Sequence, residues 1–167
     1  RHISIASTYG ADIFYGDFVK LVSTGTIEKD TGTTAMTPVG IFMGCFYTDP
    51  TTSQPTWNQM WPTGTVATDA MAFVLDDPDA VFRMQANGSL AQTTLGNNIA
   101  VTQTSGSTTI MRSKNSVTAS SAATTNTLPL RILEFMNGPD SVVGDAYTDV
   151  LLTYVAGMHQ YRTALGV

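Results

Sequence analysis

Large apolar residues recur at every second position in two parts of the segment 71–88, and this pattern predicts two strands joined by a turn. The segment 71–75 alternates, the acidic sequence at 76–79 interrupts it, and the segment 81–85 alternates again. Pro78 supplies the fixed backbone angle that a tight turn requires, and the carboxylates around it are unfavourable inside a strand. We therefore predict a hairpin over residues 71–88 and expect the rest of the chain to be built on it.

The segments before residue 49 predict further strands. Short strands are expected in 2–6 and in 13–22, and 26–29 is expected to return from a turn at Thr24-Gly25 as a hairpin partner. The segment 38–48 is the most apolar of the chain and predicts a central, buried strand. Its glycines, Gly40 and Gly44, are four residues apart, which indicates a bend or the close approach of another backbone.

The segment 49–66 contains three of the seven prolines and both tryptophans, without a helical or strand period. It predicts a long connecting loop, and loops of this length are usually functional or disordered. Disorder is not expected in this segment, because it contains Trp57, Met60 and Trp61, and burial of large aromatic side chains is strongly favourable. Two interpretations remain open: the loop caps one end of its own fold, or it presents these side chains to another subunit.

The second half of the chain predicts one short helix and one more hairpin. Ser89 and Gln92 have the spacing of a helix capping box, so a helix from Ser89 to Leu95 is expected. The polar segment 102–127 predicts long loops with one or two edge strands. The segments 128–136 and 147–155 alternate and predict the second hairpin.

At the end of the chain, Met158, Tyr161 and Leu165 have helical spacing over a length that supports only a single turn. Many short strands, at most one short helix and no alternation of strands with helices predict a mainly β fold. We expect residues 1–167 to form one domain, an antiparallel β-barrel or β-sandwich with long loops. The pattern leaves the choice between these two architectures open.

The amino-acid composition reduces the number of functional classes that this chain can belong to. Of the 167 residues, 43% are hydrophobic and only 13% are charged, and the net charge is −5. Nucleic-acid binding needs clustered basic side chains, so nucleic acid is not an expected partner. No apolar run reaches the about 20 residues of a membrane helix, so no membrane role is expected. Cys45 is the only cysteine, which excludes an internal disulfide, and its apolar surroundings at 41–47 predict a small buried side chain.

Motifs of catalysis and cofactor binding are missing from the sequence. The two histidines, His2 and His159, lie near opposite ends of the chain, and no nucleophile elbow or phosphate-binding glycine motif occurs. With Cys45 they are the only His and Cys residues, too few for a structural zinc site of the usual kind. We expect neither a cofactor nor an enzymatic activity.

Two clusters of aspartate residues are the one feature of the sequence that resembles a catalytic or metal-binding site. Asp76, Asp77 and Asp79 lie in one predicted turn, and three further aspartates lie at 140–149. Such clusters suit calcium bridging two loops or a carboxylate pair for glycoside hydrolysis. The spacing of a calcium-binding loop is missing, however, and aspartate beside proline is ordinary turn chemistry. We expect the turn at 76–79 to be structural and metal-free.

Several segments, read in order, resemble a family of tailed-bacteriophage capsid decoration (cement) proteins. They lie at 13–22, at 38–42 with Gly44-Cys45, at 76–82 continuing to 85–88, and at 130–132 with 144–148. The resemblance implies a non-enzymatic virion protein on the outer surface of the capsid, bound to the major capsid protein and favoured to be a homotrimer. In that family a segment preceding Arg1 adds an N-terminal arm, so the resemblance also implies that this chain lacks the first residues of a member.

For a docking role, we name five candidate interface residues: Trp57, Met60, Trp61, Arg1 and His2. The competing functional class is a carbohydrate-binding β-sandwich module that uses Trp57, Trp61 and Tyr47 as stacking faces. A hydrolase that uses the aspartates is a third and weaker alternative.

Overall fold

The computed structural model describes residues 1–164 and 166–167, and these residues form a mainly β fold. Every pairing between its named strands is antiparallel. The described residues contain no α-helix, only three 3-10 turns at Gln92–Thr94, Ala119–Ser121 and Gln160–Arg162. The strands are β1 His2–Ser4, β2 Ile13–Phe14, β3 Phe18–Leu21, β4 Ile27–Lys29, β5 Gly40–Thr48, β6 Pro55–Asn58, β7 Met60–Trp61, β8 Met71–Leu75, β9 Phe82–Gln85, β10 Asn98–Ile99, β11 Val101–Thr102, β12 Ser116–Val117, β13 Leu130–Phe135 and β14 Asp149–Tyr154.

The first sheet is organised around β5, which confirms the prediction of a central, buried strand. The strand order is β1-β8-β5-β3-β4, and β6 also pairs with β5. Because β5 is nine residues long, one of its edges pairs with β8 and the other pairs with β3 near its start and β6 near its end. The predicted turn at Thr24-Gly25 joins β3 to β4, as expected.

The two glycines of β5 have the roles that their positions predict. A Cβ atom at Gly40 would lie 2.2 Å from the carbonyl oxygen of Leu75, so another backbone approaches closely there. Gly44 has a φ of +124° and lies in a bulge between Phe42 and Cys45. The extra residue reverses the alternation, so that Cys45, rather than Gly44, continues the inner face of Phe42.

The second sheet has the order β10-β13-β14-β9. The hairpin of β13 and β14 confirms the prediction for 128–136 and 147–155, with a bulge between Ile132 and Glu134. Two small pairs, β11 with β12 and β2 with β7, complete the described strands.

The predicted hairpin over 71–88 is wrong, although both of its strands exist. Strand β8 pairs with β1 and β5 in the first sheet, and β9 pairs with β14 in the second. The segment 76–81 does contain a turn, in which the Ala80 amide donates to the Asp77 carbonyl at 3.1 Å. It therefore carries the chain from one sheet to the other.

The prediction of an irregular loop over 49–66 is also wrong. A tight connection at 49–54, in which the Asp49 carboxylate accepts the backbone N–H groups of Thr51 and Thr52, turns β5 into its hairpin partner β6. Strand β7 then pairs with β2. The prolines stand at or outside the strand ends, where the missing N–H costs no ladder bond.

The predicted capping box does not form. The Ser89 hydroxyl donates to the Gly144 carbonyl at 2.8 Å, and the short 3-10 turn begins after Ala91 without a side-chain cap. The single turn expected near the end of the chain is present at Gln160–Arg162. Leu165, part of that prediction, lies outside the described residues.

Two buried clusters form the core, one largely under each sheet. Phe18 of β3 and Ile41 of β5 are paired in the first sheet but pack in the cluster of the second. These two strands therefore join the layers. The sheets do not close into a barrel within the described residues, which leaves the sandwich-like alternative. None of the helical segments in this part of the chain has the length and apolarity that a membrane crossing requires.

Candidate interaction surface

A row of aromatic side chains covers the outer face of the first sheet. His2 of β1 and Phe73 of β8 lie in register, with ring centroids 4.6 Å apart. Phe46 of β5 and Trp57 of β6 also lie in register, at 4.8 Å. The row is joined where Trp57 stacks on Phe73, at 5.2 Å and an interplanar angle of 12°. Four strands thus present one continuous aromatic row, which we call the aromatic face.

The Trp57 ring stacks on Phe73 across β5, which lies between β6 and β8. Gly44 stands in the bulge of β5, and a Cβ there would lie 3.0 Å from the carbonyl oxygen of Asn58. The backbone of the β6–β7 connection therefore approaches β5 closely at this point.

Apolar side chains extend the aromatic face. Trp57 is 69% exposed, Leu75 is 42% exposed and Met43 is 40% exposed, and Met71 is half-buried beside them. Contiguous exposed apolar surface of this kind marks a binding site more often than it marks ordinary protein surface. Tryptophan and methionine are also residue types that are enriched at protein interfaces.

The structure separates the five sequence-predicted interface residues. Trp57 and His2 lie together on the aromatic face. Met60 and Trp61 are buried, and the Trp61 ring packs against Tyr47 at 5.5 Å, so these two side chains cap their own core. Arg1 lies at the end of the same sheet, where its side chain is held by neighbours within the chain.

Arg1 forms a compact cluster with the acidic turn. Its guanidinium lies 2.9 Å from the Asp76 carboxylate and donates to the Tyr161 hydroxyl at 2.8 Å, and that hydroxyl donates to Asp76 at 3.1 Å. Burial and the hydrogen bond to Asp76 raise the pKa of Tyr161. These contacts hold Arg1 and Tyr161, which lie near the two ends of the described chain, against the turn at 76–79.

The carboxylates of the first acidic cluster have separate partners. Asp76 pairs with Arg1, Asp79 pairs with Arg162 at 2.6 Å, and Asp77 accepts the backbone N–H of Asp79 at 2.9 Å. In the described part of the chain, no group of three or more His, Cys, Asp or Glu side chains is arranged to hold a metal ion.

In the second acidic cluster, Asp149 pairs with Arg83, and Asp145 accepts the backbone N–H of Val142 at 2.8 Å. These contacts support chain turns and strand pairing.

Cys45 and His159, two further side chains with reactive chemistry, are both buried. Burial raises the pKa of the Cys45 thiol to about 12, so the thiol stays protonated at neutral pH. His159 has no exposed surface, its Nδ1 accepts the backbone N–H of Tyr161 at 3.2 Å, and burial lowers its pKa.

Phe46 and Phe73 are the members of the aromatic face that sequence reasoning missed. Both lie in strands that the alternation predicts, but the face of Phe46 depends on the bulge before it. Gly44 predicted an irregularity in β5, but the sequence did not show which pairs of the strand ladder the irregularity would separate.

No protein-family profile, curated protein or solved structure matches this chain.

Proposed function

We propose that this protein is a non-enzymatic virion component that decorates the outer surface of a tailed-phage capsid and binds the major capsid protein through the aromatic face. The observation that carries a docking role is the aromatic row on one sheet, in which exposed Trp57 and His2 lie against half-buried Phe73 and Phe46. The assignment of the partner as a capsid shell comes from the family resemblance of the sequence.

The aromatic face suits docking because it is ordered before binding. Trp57 is held from two sides, by Phe46 and Phe73, so little side-chain entropy is lost when a partner covers it. Interface tryptophans that fill a partner's pocket contribute about 2 kcal/mol or more each. A few such contacts suffice for firm attachment to a shell with many copies of the site.

The binding experiment compares Trp57→Ala with Tyr147→Ala on undecorated capsids. Tyr147 is a matched control because it is also an exposed aromatic residue, at 61%, and lies outside the first sheet. We expect Trp57→Ala to lose capsid binding and Tyr147→Ala to retain it, with both variants folded. Equal binding by the two variants would remove the aromatic face from the proposal.

The virion assignment has its own test. Quantitative mass spectrometry of purified virions should find this chain in a copy number comparable with that of the shell protein. Absence from the virion would refute the capsid role, whatever the aromatic face binds.

The homotrimer is part of the same proposal. The resemblance favours a homotrimer, and closed symmetry of this kind is usual among homo-oligomers. Light scattering coupled to gel filtration measures the oligomeric state in solution. A monomer at high concentration would restrict trimer formation to the capsid surface.

Carbohydrate binding is the second candidate, and exposed Trp57 is the observation that favours it. Of the three rings that the sequence suggests as stacking faces, Trp61 and Tyr47 are buried against each other. A single tryptophan that already stacks on Phe73 offers limited ring surface to a sugar. A glycan-binding screen separates the two functions, and we expect it to be negative.

A further inference from the structure

A groove of about 450 Å³ lies between the two sheets. Its large apolar side chains come from both sheets: Phe18 of β3, Ile41 and Met43 of β5, Leu75 of β8, and Phe82 and Met84 of β9. Phe18 and Ile41 are buried, whereas Met43 and Leu75 are exposed, so the groove leads from the core to the surface. Pockets of about 300 to 1,000 Å³ with a mostly apolar lining are the usual sites of small-molecule ligands.

The charged part of the groove is positive, although the whole protein is acidic. The chain has a net charge of −5, but the groove is lined by two arginines and no acidic residue. Arg83 pairs with Asp149, which lies outside the lining. Arg112 is exposed, and its guanidinium has no carboxylate partner in the described part of the chain. A carboxylate is the natural complement of such a guanidinium.

The position of Arg112 is fixed by its neighbours. The Tyr15 N–H donates to the Met111 carbonyl at 3.3 Å, and the Ser113 N–H donates to the Tyr15 carbonyl at 2.9 Å, which places Arg112 in a parallel bridge with Tyr15. The guanidinium carbon of Arg112 lies 5.8 Å from the centre of the Tyr15 ring, and Tyr15 also lines the groove.

The backbone before Arg112 adopts an unfavourable angle. Met111 has a φ of +56°, a left-handed conformation that is rare for residues other than glycine, asparagine and aspartate. Such outliers cluster at ligand-binding and active sites, where the surrounding structure holds them in place. The two backbone hydrogen bonds to Tyr15 provide this support, and the result is that Arg112 is presented to the groove.

We propose that this groove binds a small monocarboxylate with an apolar body. The apolar body packs against the side chains of Phe82, Met84 and Leu75, and the carboxylate accepts hydrogen bonds from the Arg112 guanidinium. An apolar pocket with one unpaired cation matches a ligand with an apolar body and one negative charge. This inference does not depend on the capsid role or on the aromatic face.

The probe is octanoate, and isothermal titration calorimetry on the full chain measures its binding. Octanol and octylammonium are the matched ligands, because they keep the hydrocarbon chain and replace the carboxylate by a neutral or a cationic group. We expect octanoate to bind about tenfold or more tightly than either one, since only the carboxylate pairs with a guanidinium.

The apolar body has a test of its own. From hexanoate to octanoate, the affinity should rise by about three- to fourfold for each added methylene, because each methylene is transferred from water into apolar surroundings. An affinity that is the same for the two ligands would show that the hydrocarbon chain stays in solvent, and would overturn the proposal.

The role of Arg112 is tested by Arg112→Gln. This variant should bind octanoate about tenfold or more weakly than the wild type and should bind octanol equally well. The matched control is Lys114→Gln, which removes one positive charge at an exposed residue outside the groove lining and should bind octanoate normally. Thermal melts establish that both variants are folded. If Arg112→Gln is unfolded, the comparison of octanoate with octylammonium on the wild-type chain decides.

The location of the ligand is measured by nuclear magnetic resonance. Octanoate should shift the methyl signal of Met84, which lines the groove, and leave the indole N–H signal of Trp57 on the aromatic face unchanged. The reverse pattern would overturn the proposal. It would equally be overturned if octanoate did not bind at millimolar concentration, if it bound no more tightly than octanol, or if Arg112→Gln and Lys114→Gln bound it equally well.

Discussion

The ammonium nitrogen of Lys29 lies 2.8 Å from the carboxylate of Asp17, whose side chain has no exposed surface. The same carboxylate accepts the backbone N–H of Phe14 at 2.9 Å and the side-chain amide of Asn115 at 3.3 Å. Asp17 therefore closes the turn between β2 and β3 and links both strands to β4 and to the loop after residue 112. A single buried charge fixes the position of four segments.

Removal of Lys29 should destabilise the fold strongly. Lys29→Met leaves the Asp17 carboxylate buried without its cation, and we expect the free energy of unfolding to fall by about 3 to 5 kcal/mol. Lys114→Met is the control, because Lys114 is exposed and forms no ion pair in the described residues. Urea denaturation of both variants provides the measurement. Equal, small effects in the two would show that the Asp17 carboxylate does not need its partner.

The two tryptophans should respond in opposite ways to truncation. Trp61→Ala removes a fully buried ring from the core and should lower the free energy of unfolding by about 3 to 5 kcal/mol. Trp57→Ala removes an exposed ring that stacks on Phe73 and packs at a tilt against Phe46, so its cost should stay below about 1.5 kcal/mol. Thermal melts of the purified variants compare them. A large loss of stability in Trp57→Ala would instead make this ring a structural cap.

His159 should make the protein less stable in mild acid. Burial lowers its pKa in the folded state below the ordinary value of 6.5, while nearby Asp76 and Asp77 oppose the shift and Arg162 adds to it. Below pH 6.5 the unfolded chain therefore binds more protons than the folded chain. The stability that neutral His159 provides is complete above pH 6.5 and is lost as the pH falls toward the folded-state pKa.

The measurement is the free energy of unfolding between about pH 7 and pH 5, above the range in which ordinary carboxylates titrate. His159→Gln should flatten the slope in this window, and His2→Gln, at an exposed position on β1, is the control. If both variants keep the wild-type slope, another group is responsible for it.

Cys45 should be nearly unreactive in the native protein. Its thiol is buried in β5, its pKa is raised to about 12, and its Sγ donates to the Met60 carbonyl at 3.4 Å. Labelling with a thiol reagent at pH 8 should therefore follow the rate of opening of the first sheet and accelerate in denaturant. Immediate labelling of the folded chain would contradict the burial of this side chain.

The sequence by itself determined most strands, because alternation is a local property. It located β5, β8, β9, β13 and β14, and it paired β13 with β14 across a polar connection. It also predicted the burial of Cys45 and the irregular role of Gly40 and Gly44 in β5. Each of these results depends on residues within a few positions of one another.

Tertiary structure decided which strands meet and which face each side chain takes. Strands β8 and β9 are close in the sequence but lie in different sheets. Strand β8 pairs with β1 and β5, whereas β9 pairs with β14. The energy of strand pairing comes from strands that are distant in the sequence. A turn such as that at 76–79 is compatible both with a hairpin and with a crossing to the other sheet, so the local sequence does not decide between them.

The aromatic face depends on the same distant information. Trp57 and Trp61 lie four residues apart, yet one pairs with β5 and points outward, while the other pairs with β2 and is buried. A bulge at Gly44 reverses the alternation of β5, which places Phe46 on the outer face beside Trp57. Because one extra residue exchanges the two faces of a strand, only the assembled ladder decides which side chains are presented to a partner.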